Sequence, residues 1–377
     1  MRDVYVIGIG MIRFGRYRDV WVEELGRQAI HAALRDSGID PHRLPVAYCG
    51  HSHQGRVAGQ RALKQAGIVG IEVVNVENAC AGGSTSFRQA YIAVASGLYD
   101  LALAVGMEKV GSGLLPSNEE DLDALQGRVL PGHYAVKAMR HMREFGTTVE
   151  QLAMVSVKSH RNAVLNPLAQ YQEEVTLEQV LTSRLVADPL TLLQCCPTGD
   201  GAAAAILGSK QEAEKAGHPR VRVAGSAVRS GGFMGSGKDI LSSPLTRETA
   251  KAAYDMASLG PEDIDVCECH DAFTIGEILH YENLGFCRRG EGGRLVEEGK
   301  TEINGSIPVN SSGGLLSKGH PLGATGIAQV FEVVQQLRRE AGKRQIRNPR
   351  VGLTHTMGGA IPELEAGACS VHVFIKE

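Results

Sequence analysis

The sequence predicts an α/β protein of two related halves, with a helical segment inserted into the first. Three observations lead there. Short apolar, strand-like runs alternate with stretches of helical period along most of the chain. The segments 37-SGIDPHRLPVAYCGHS-52 and 259-LGPEDIDVCECHDAFT-274 follow one plan: helix end, glycine, Pro/Asp turn, strand, then a polar loop with a histidine. Glycine is in excess, 46 residues against 8 Phe, 9 Tyr and 1 Trp, and it clusters beside apolar runs without a three-residue period. That distribution marks tight turns and close backbone approaches. Small residues also let an alanine-rich helix pack between two sheets.

In order, residues 3–10 read as a strand and 20–37 as a helix closed by Gly38. Strand 44–50 leads to 51–68, a polar loop feeding a helix, and strand 72–78 meets the small-residue cluster 79-ACAGGSTS-86. Helix 87–98 and strand 101–109 follow. Over about 110–183 glycine thins out, polar interruptions such as 116–120 appear, and helices are predicted at 133–145, 149–164 and 176–182. This is the inserted loop subdomain. Arg140, Lys158, His160, Arg161 and Arg184 in and after it either face an anionic ligand or form an ordinary solvated surface. Strand character returns over 192–208 and 219–230, with a helix at 245–258. Helix 274–284, a flexible Gly- and charge-rich loop at 288–300, helix 326–341 and strands 350–360 and 367–375 complete the chain. The predicted halves are 1–218 and 219–377.

The 377 residues carry 39 Lys+Arg against 42 Asp+Glu, a formal charge of -3 with no basic stripe, which argues against nucleic acid as a partner. The opening Met1-Arg2-Asp3-Val4-Tyr5-Val6 reads as a strand rather than a signal peptide, and no apolar run is as long as a membrane span. Eight cysteines, several inside apolar strand-like runs, fit a cytoplasmic protein with reduced thiols. Cys267-x-Cys269-His270 lacks metal-ligand spacing and a matching second half, so no metal is expected on this chain.

Three residues stand out chemically. Cys80 lies on a small-residue turn between a strand and a helix, where free N–H groups and the positive helix end are expected to lower its pKa. A buried core thiol is the competing reading. His320, in Gly319-His320-Pro321, and His270, in Cys269-His270-Asp271-Ala272-Phe273, lie at strand-to-loop edges of the later half. Converging with Cys80 where the halves abut, they would make a Cys-His-His site suited to acyl transfer.

NVENACAGGSTS (75–86), CHDAF (269–273) and NSSGGLLSKGHPLGATG (310–326) resemble the thiolases, in particular the branch of sterol-carrier-protein-type and archaeal enzymes, over essentially the whole chain. The resemblance implies two repeated βαβαβαββ halves in five α-β-α-β-α layers and acyl-CoA acyltransferase activity, with coenzyme A as substrate. It implies a homodimer and a small zinc-ribbon/OB-fold partner protein. It makes Cys80 the acylated nucleophile, His320 its base and His270 an oxyanion-hole donor. The backbone of Cys80, Gly358 and Gly359 would form a second hole, and Phe273, Ser312, Gly313 and Gly314 would line the substrate site.

Two positions depart from the family pattern. Thr356 stands where thiolases carry a second catalytic cysteine, and Ala272 where the sterol-carrier branch has its replacement. Proton transfer at the substrate α-carbon then falls to His355, to a bound water or to His270, or the substrate stabilises its own carbanion well enough for a weaker acid to serve. The substrates in view are acetoacetyl-CoA or an aromatic β-ketoacyl-CoA such as benzoylsuccinyl-CoA. A retro-aldol C–C lyase without a covalent intermediate and a non-catalytic CoA-ester-binding subunit are the alternatives.

Overall fold

The computed structural model describes residues 1–110, 122–127, 129–235, 239–361 and 363–377; the polar interruption at 116–120 lies outside them. The first half contributes β1 (Val4–Met11), α1 (Val22–Ser37), β2 (Val46–Gly50), α2 (Ala58–Gln65), β3 (Glu72–Val76), α3 (Gly82–Ala95) and β4 (Leu101–Glu108). Helix α1 forms because Val22, Leu25, Ala29, Ile30 and Ala33 bury one stripe, and Gly38, at φ 67°, ends it by returning its N–H to Leu34. The insertion carries α4 (Leu122–Leu125), α5 (Leu130–Phe145), α6 (Val149–Val164), α7 (Leu177–Thr182) and the hairpin β5 (Leu185–Ala187) and β6 (Leu190–Thr191). β7 (Gly201–Ser209) and α8 (Lys210–Ala213) complete that half. The second half runs β8 (Val221–Arg229), α9 (Pro244–Ala257), β9 (Val266–Glu268), α10 (Thr274–Asn283), α11 (Gly292–Glu297), α12 (Leu322–Arg338), β10 (Val351–Gly358) and β11 (Ala368–Lys376).

The repeat is visible in the pairing. β4 lies parallel to β2 and antiparallel to β7, and β10 lies parallel to β9 and antiparallel to β11. β3 has a shrunken counterpart, the single parallel pairing of Cys267 with Val309. The halves also join edge to edge, since β1 pairs with β8 through Tyr5↔Arg222 and Val6↔Val221. Among the described residues this gives one nine-stranded order, β3-β2-β4-β7-β1-β8-β11-β10-β9.

The sheet wraps around α3 and α12, whose Phe87, Ala90, Val94, Ala324, Ile327 and Val330 share a core with inward residues of both halves. α1 and α2 cover the outer face of the first half, and α9 and α10 that of the second. The result is the predicted α-β-α-β-α stack. Its two inner helices touch because glycine lies at the crossing. A Cβ on Gly83 would sit 2.3 Å from the Gly323 carbonyl oxygen, and one on Gly326 would sit 2.4 Å from the Ser84 nitrogen.

Two local expectations are corrected. The run 192–208 is strand only from Gly201, because residues 192–194 make a 3-10 turn and Pro197 has no N–H to give a ladder. The 288–300 segment is not a flexible loop: it holds α11, where a Cβ on Gly292 would meet the Ile278 carbonyl oxygen at 2.6 Å. Of the insertion's basic side chains, Arg140 and Arg161 lie on the solvated surface in ion pairs, one of the two readings left open, whereas Lys158 and His160 are buried against protein groups. Lys158, 1 % exposed, bonds Glu277, the Tyr281 hydroxyl (3.1 Å) and the Val309 carbonyl (3.0 Å). Arg161 pairs with Glu302 at 3.2 Å, Arg140 with Glu144 at 3.3 Å, and His160 Nδ1 lies 3.0 Å from the Glu173 carbonyl oxygen.

Candidate active site

Cys80 sits in a 3-10 turn (Ala79–Ala81) squeezed between β3 and α3. Ala79 is forced to φ 47°, an unfavourable region for alanine, and its N–H is held by Glu77 at 2.7 Å. The turn closes through the Ala81 N–H on the Asn78 carbonyl at 2.9 Å. Gly358 abuts it from β10: a Cβ there would lie 2.2 Å from the Asn78 oxygen. The backbones of Gly358 and Gly359 therefore lie against the turn that carries the cysteine.

The thiol is not acidified as its place before a helix suggested. Burial pushes Cys80 up to about 12, and the Glu108 and Glu77 carboxylates add to it. A helix N-terminus contributes about 0.3–1 kcal/mol, less than one pKa unit, so burial wins. Cys80 rests as a neutral thiol and needs a base.

His320 stands ready as that base. Its Nδ1 lies 2.8 Å from the Thr325 hydroxyl, which itself donates to the Pro321 carbonyl at 2.9 Å. The Thr325 oxygen can then only accept, so Nδ1 carries the proton and Nε2 presents a bare lone pair. Burial, and after it the neighbouring His270, hold His320 well below the ordinary histidine pKa, keeping it neutral. Glu108 fixes the approach to this loop, its Oε2 accepting the N–H groups of Gly323 (3.0 Å) and Ser52 (2.8 Å).

His270 follows β9 on a turn pinned from the other side. Asp271 accepts the Leu315 N–H at 2.7 Å, and Asn310 Oδ1 accepts the Cys269 N–H at 2.9 Å. These bonds tie the 269–273 segment to the 310–318 loop that leads to His320. The rings of His270 and His320 are 5.1 Å apart, edge to face. Burial pulls His270 down to about 4, and its Nδ1 is buried without a partner among the described residues. One donor atom each from Cys80, His270 and His320 lie within 4.8 Å of one another. The three residues singled out in the sequence meet at one point.

The other sequence candidates are placed differently. His355 packs its ring against His280, centroids 4.3 Å apart, and is not in the trio; burial lowers it to about 3. Thr356 gives its hydroxyl to Gln329 at 2.6 Å. Ser312 spends its hydroxyl on Glu268 and its carbonyl on Asn166, so it holds the loop rather than facing the trio. Gly313 and Gly314, at φ 101° and 59°, let that loop turn against Ala163 and Asp271. Phe273 stacks on Tyr134 of the insertion at 4.4 Å, closing one wall near Cys80. The second group of possible metal donors among the described residues, Asp36, His218 and Glu340, already engages Arg338, 2.8 Å from Asp36; neither group includes Cys267 or Cys269.

Sequence reading missed Thr325, Glu108 and Cys196. A buried acid ending the apolar strand 101–108, and Pro197 interrupting the supposed strand at 192–208, were the available signals.

A profile of the thiolase N-terminal domain matches residues 4–211, and one described as "Thiolase C-terminal domain-like" matches 226–365. The chain belongs to the thiolase family. It is an enzyme with the CoA-dependent acyl-transfer chemistry of that family. It is 45% identical to "Acetyl-CoA acetyltransferase" of Methanothermobacter thermautotrophicus, with 100% of both chains covered. It is 42% identical to "Benzoylsuccinyl-CoA thiolase subunit BbsB" of Thauera aromatica, with 95% of each covered. Identity to "Sterol carrier protein 2" of Bos taurus is 39%, over 94% of this thiolase and 70% of the relative. Among solved structures, "Ltp2-ChsH2(DUF35) aldolase" superposes with a TM-score of 0.86 at 25% identity, covering 99% of this chain and 98% of that one.

Proposed function

We propose that this thiolase cleaves or forms the carbon–carbon bond of a β-ketoacyl-CoA through an acyl-thioester on Cys80. The observation that supports it is the meeting of Cys80, His270 and His320 within 4.8 Å, with His320 held in the tautomer of a base. In cleavage the Cys80 sulfur attacks the β-keto carbon while its proton passes to His320 Nε2. The backbone N–H groups of Cys80 and the Gly358–Gly359 segment steady the tetrahedral oxyanion. The C–C bond then breaks to an enolate whose oxygen is held by His270. Coenzyme A takes the acyl group from Cys80. Condensation runs these steps backwards.

The substrate is acetoacetyl-CoA or an aromatic β-ketoacyl-CoA such as benzoylsuccinyl-CoA; relatives of both kinds, at 45% and 42% identity, support this choice. We place the chain in the sterol-carrier and archaeal-like branch, acting in the cytoplasm as a homodimer. The exposed edge strand β3, with Val74 outward, supplies an edge for a second copy. A small zinc-ribbon/OB-fold protein is the proposed partner, supported by the DUF35-containing structure.

A second reading, a retro-aldol lyase on a β-hydroxyacyl-CoA, is favoured by the likeness to an aldolase and by Ala272 and Thr356 in place of thiols. Intact-mass spectrometry after mixing the enzyme with acetoacetyl-CoA decides between them. Acylation of the wild type and none in Cys80→Ala supports the thiolase. Turnover of a β-hydroxyacyl-CoA retained in Cys80→Ala, with no adduct from either ester, supports the lyase.

A further inference from the structure

Acyl transfer on Cys80 leaves one chemical task unassigned. The α-carbon that departs as an enolate must be protonated, and in condensation deprotonated. The two sequence positions expected to hold a thiol for this are Ala272 and Thr356. Thr356 is locked to Gln329 at 2.6 Å, and His355 is turned to His280. The described structure brings another thiol to the same place.

The segment after the insertion, residues 195–198, crosses the site as a short ladder. Cys195 pairs antiparallel with Phe273, and the Cys196 N–H donates to the Ala272 carbonyl at 2.9 Å. In such a ladder Cys196 stands directly opposite Ala272. Opposed residues put their side chains on one face, with Cβ atoms roughly 4.5–5.5 Å apart. Two residues further on, Thr198 pairs with His320. Cys196 is thus suspended between the His270 turn and the His320 loop.

We propose that Cys196 is the acid and base that serves the substrate α-carbon, filling from the neighbouring strand the place left open at Ala272. The assignment rests on the acyl-Cys80 reading and completes it. Cys196 is close enough to Cys80 and Asp271 that a charge on either pushes its thiol up, after burial as the main cause, so it rests protonated as an acid should. The protons balance. In cleavage Cys80 gives its proton to His320, and Cys196 gives its own to the α-carbon, making a C–H bond and a thiolate. The thiol of incoming coenzyme A gives its proton to that thiolate while its sulfur attacks the acyl group. Cys80 leaves as thiolate and recovers the proton from His320.

The test uses the full chain with acetyl-CoA for acylation, a thioester exchange onto Cys80 that moves no α-proton, and with acetyl-CoA and succinyl-CoA in D2O for α-proton exchange. Cys196→Ala, and Cys196→Ser in case the alanine variant packs poorly, are expected to acylate Cys80 within about threefold of wild type. Exchange and turnover should fall by roughly 10²–10⁴-fold. Ala272→Cys in the Cys196→Ala background should restore exchange, since it returns a thiol to the opposite side of the same ladder pair; no restoration overturns the equivalence of the two positions. Wild-type exchange in both single variants overturns the proposal, as does equal loss of acylation and exchange, which marks a merely structural role. Absence of any Cys80 adduct in the wild type overturns the acyl-cysteine reading and this proposal with it.

Discussion

The hydroxyl of Thr325 fixes which nitrogen of His320 is basic. It lies 2.8 Å from Nδ1 while donating its own proton to the Pro321 carbonyl at 2.9 Å. A threonine one helical turn into α12 thereby selects the tautomer of a residue in the preceding loop. Thr325→Val removes the acceptor and leaves a buried Nδ1–H unpaired, which costs about 1–3 kcal/mol. The rate of Cys80 acylation is expected to fall about a hundredfold as the base loses its orientation, and Thr325→Ser should retain most of it. Single-turnover acylation followed by mass is the measurement, and equal rates in the valine and serine variants would contradict this role.

A thiol pushed up to about 12 is almost wholly protonated at neutral pH. Below that pKa the thiolate fraction rises about tenfold for each pH unit. Alkylation of Cys80 by iodoacetamide in the free enzyme should therefore climb about tenfold per unit from pH 7 to 10 without levelling. Site-resolved mass spectrometry reads this directly. A plateau below about pH 8 would mean that His320 and Cys80 rest as an ion pair.

The α3–α12 crossing predicts a sharp contrast between glycines. A Cβ on Gly326 would strike the Ser84 backbone nitrogen at 2.4 Å, and neither inner helix can retreat because both are sandwiched. Gly326→Ala is expected to destabilise the fold by about 1–3 kcal/mol or more. A Cβ on Gly217 meets no described atom within 4 Å, so Gly217→Ala should stay within about 0.5 kcal/mol of wild type. Urea unfolding of the pair separates close packing from general glycine sensitivity.

What was legible in the sequence is tied to local chemistry. Cys80, His270 and His320 each sit on a small-residue or polar turn at the end of a strand, and such turns have few bland readings. Alternation and glycine punctuation gave the repeated α/β plan and most elements, with α12 starting at Leu322 instead of 326 because Pro321 opens a helix as readily as it ends a strand.

The rest depends on contacts between residues far apart in the chain. The resting state of Cys80 is set by burial and by Glu108, and neither is readable from the turn itself. The family resemblance implies Ser312 as a substrate contact, but its hydroxyl is spent on Glu268, which lies more than forty residues earlier. Cys196 escaped notice because an apolar run with two cysteines resembles a core strand until its pairing with Ala272 is seen.

The join of β1 to both β7 and β8 bears on how the chain is assembled during synthesis. β1 is the central strand of the nine, yet its neighbours, Gly201–Ser209 and Val221–Arg229, leave the ribosome only after the whole insertion has been translated. Until then β1 carries two unsatisfied edges and an apolar face. β1 thus waits with open edges while the insertion is translated, an interval in which unpaired strand edges favour aggregation.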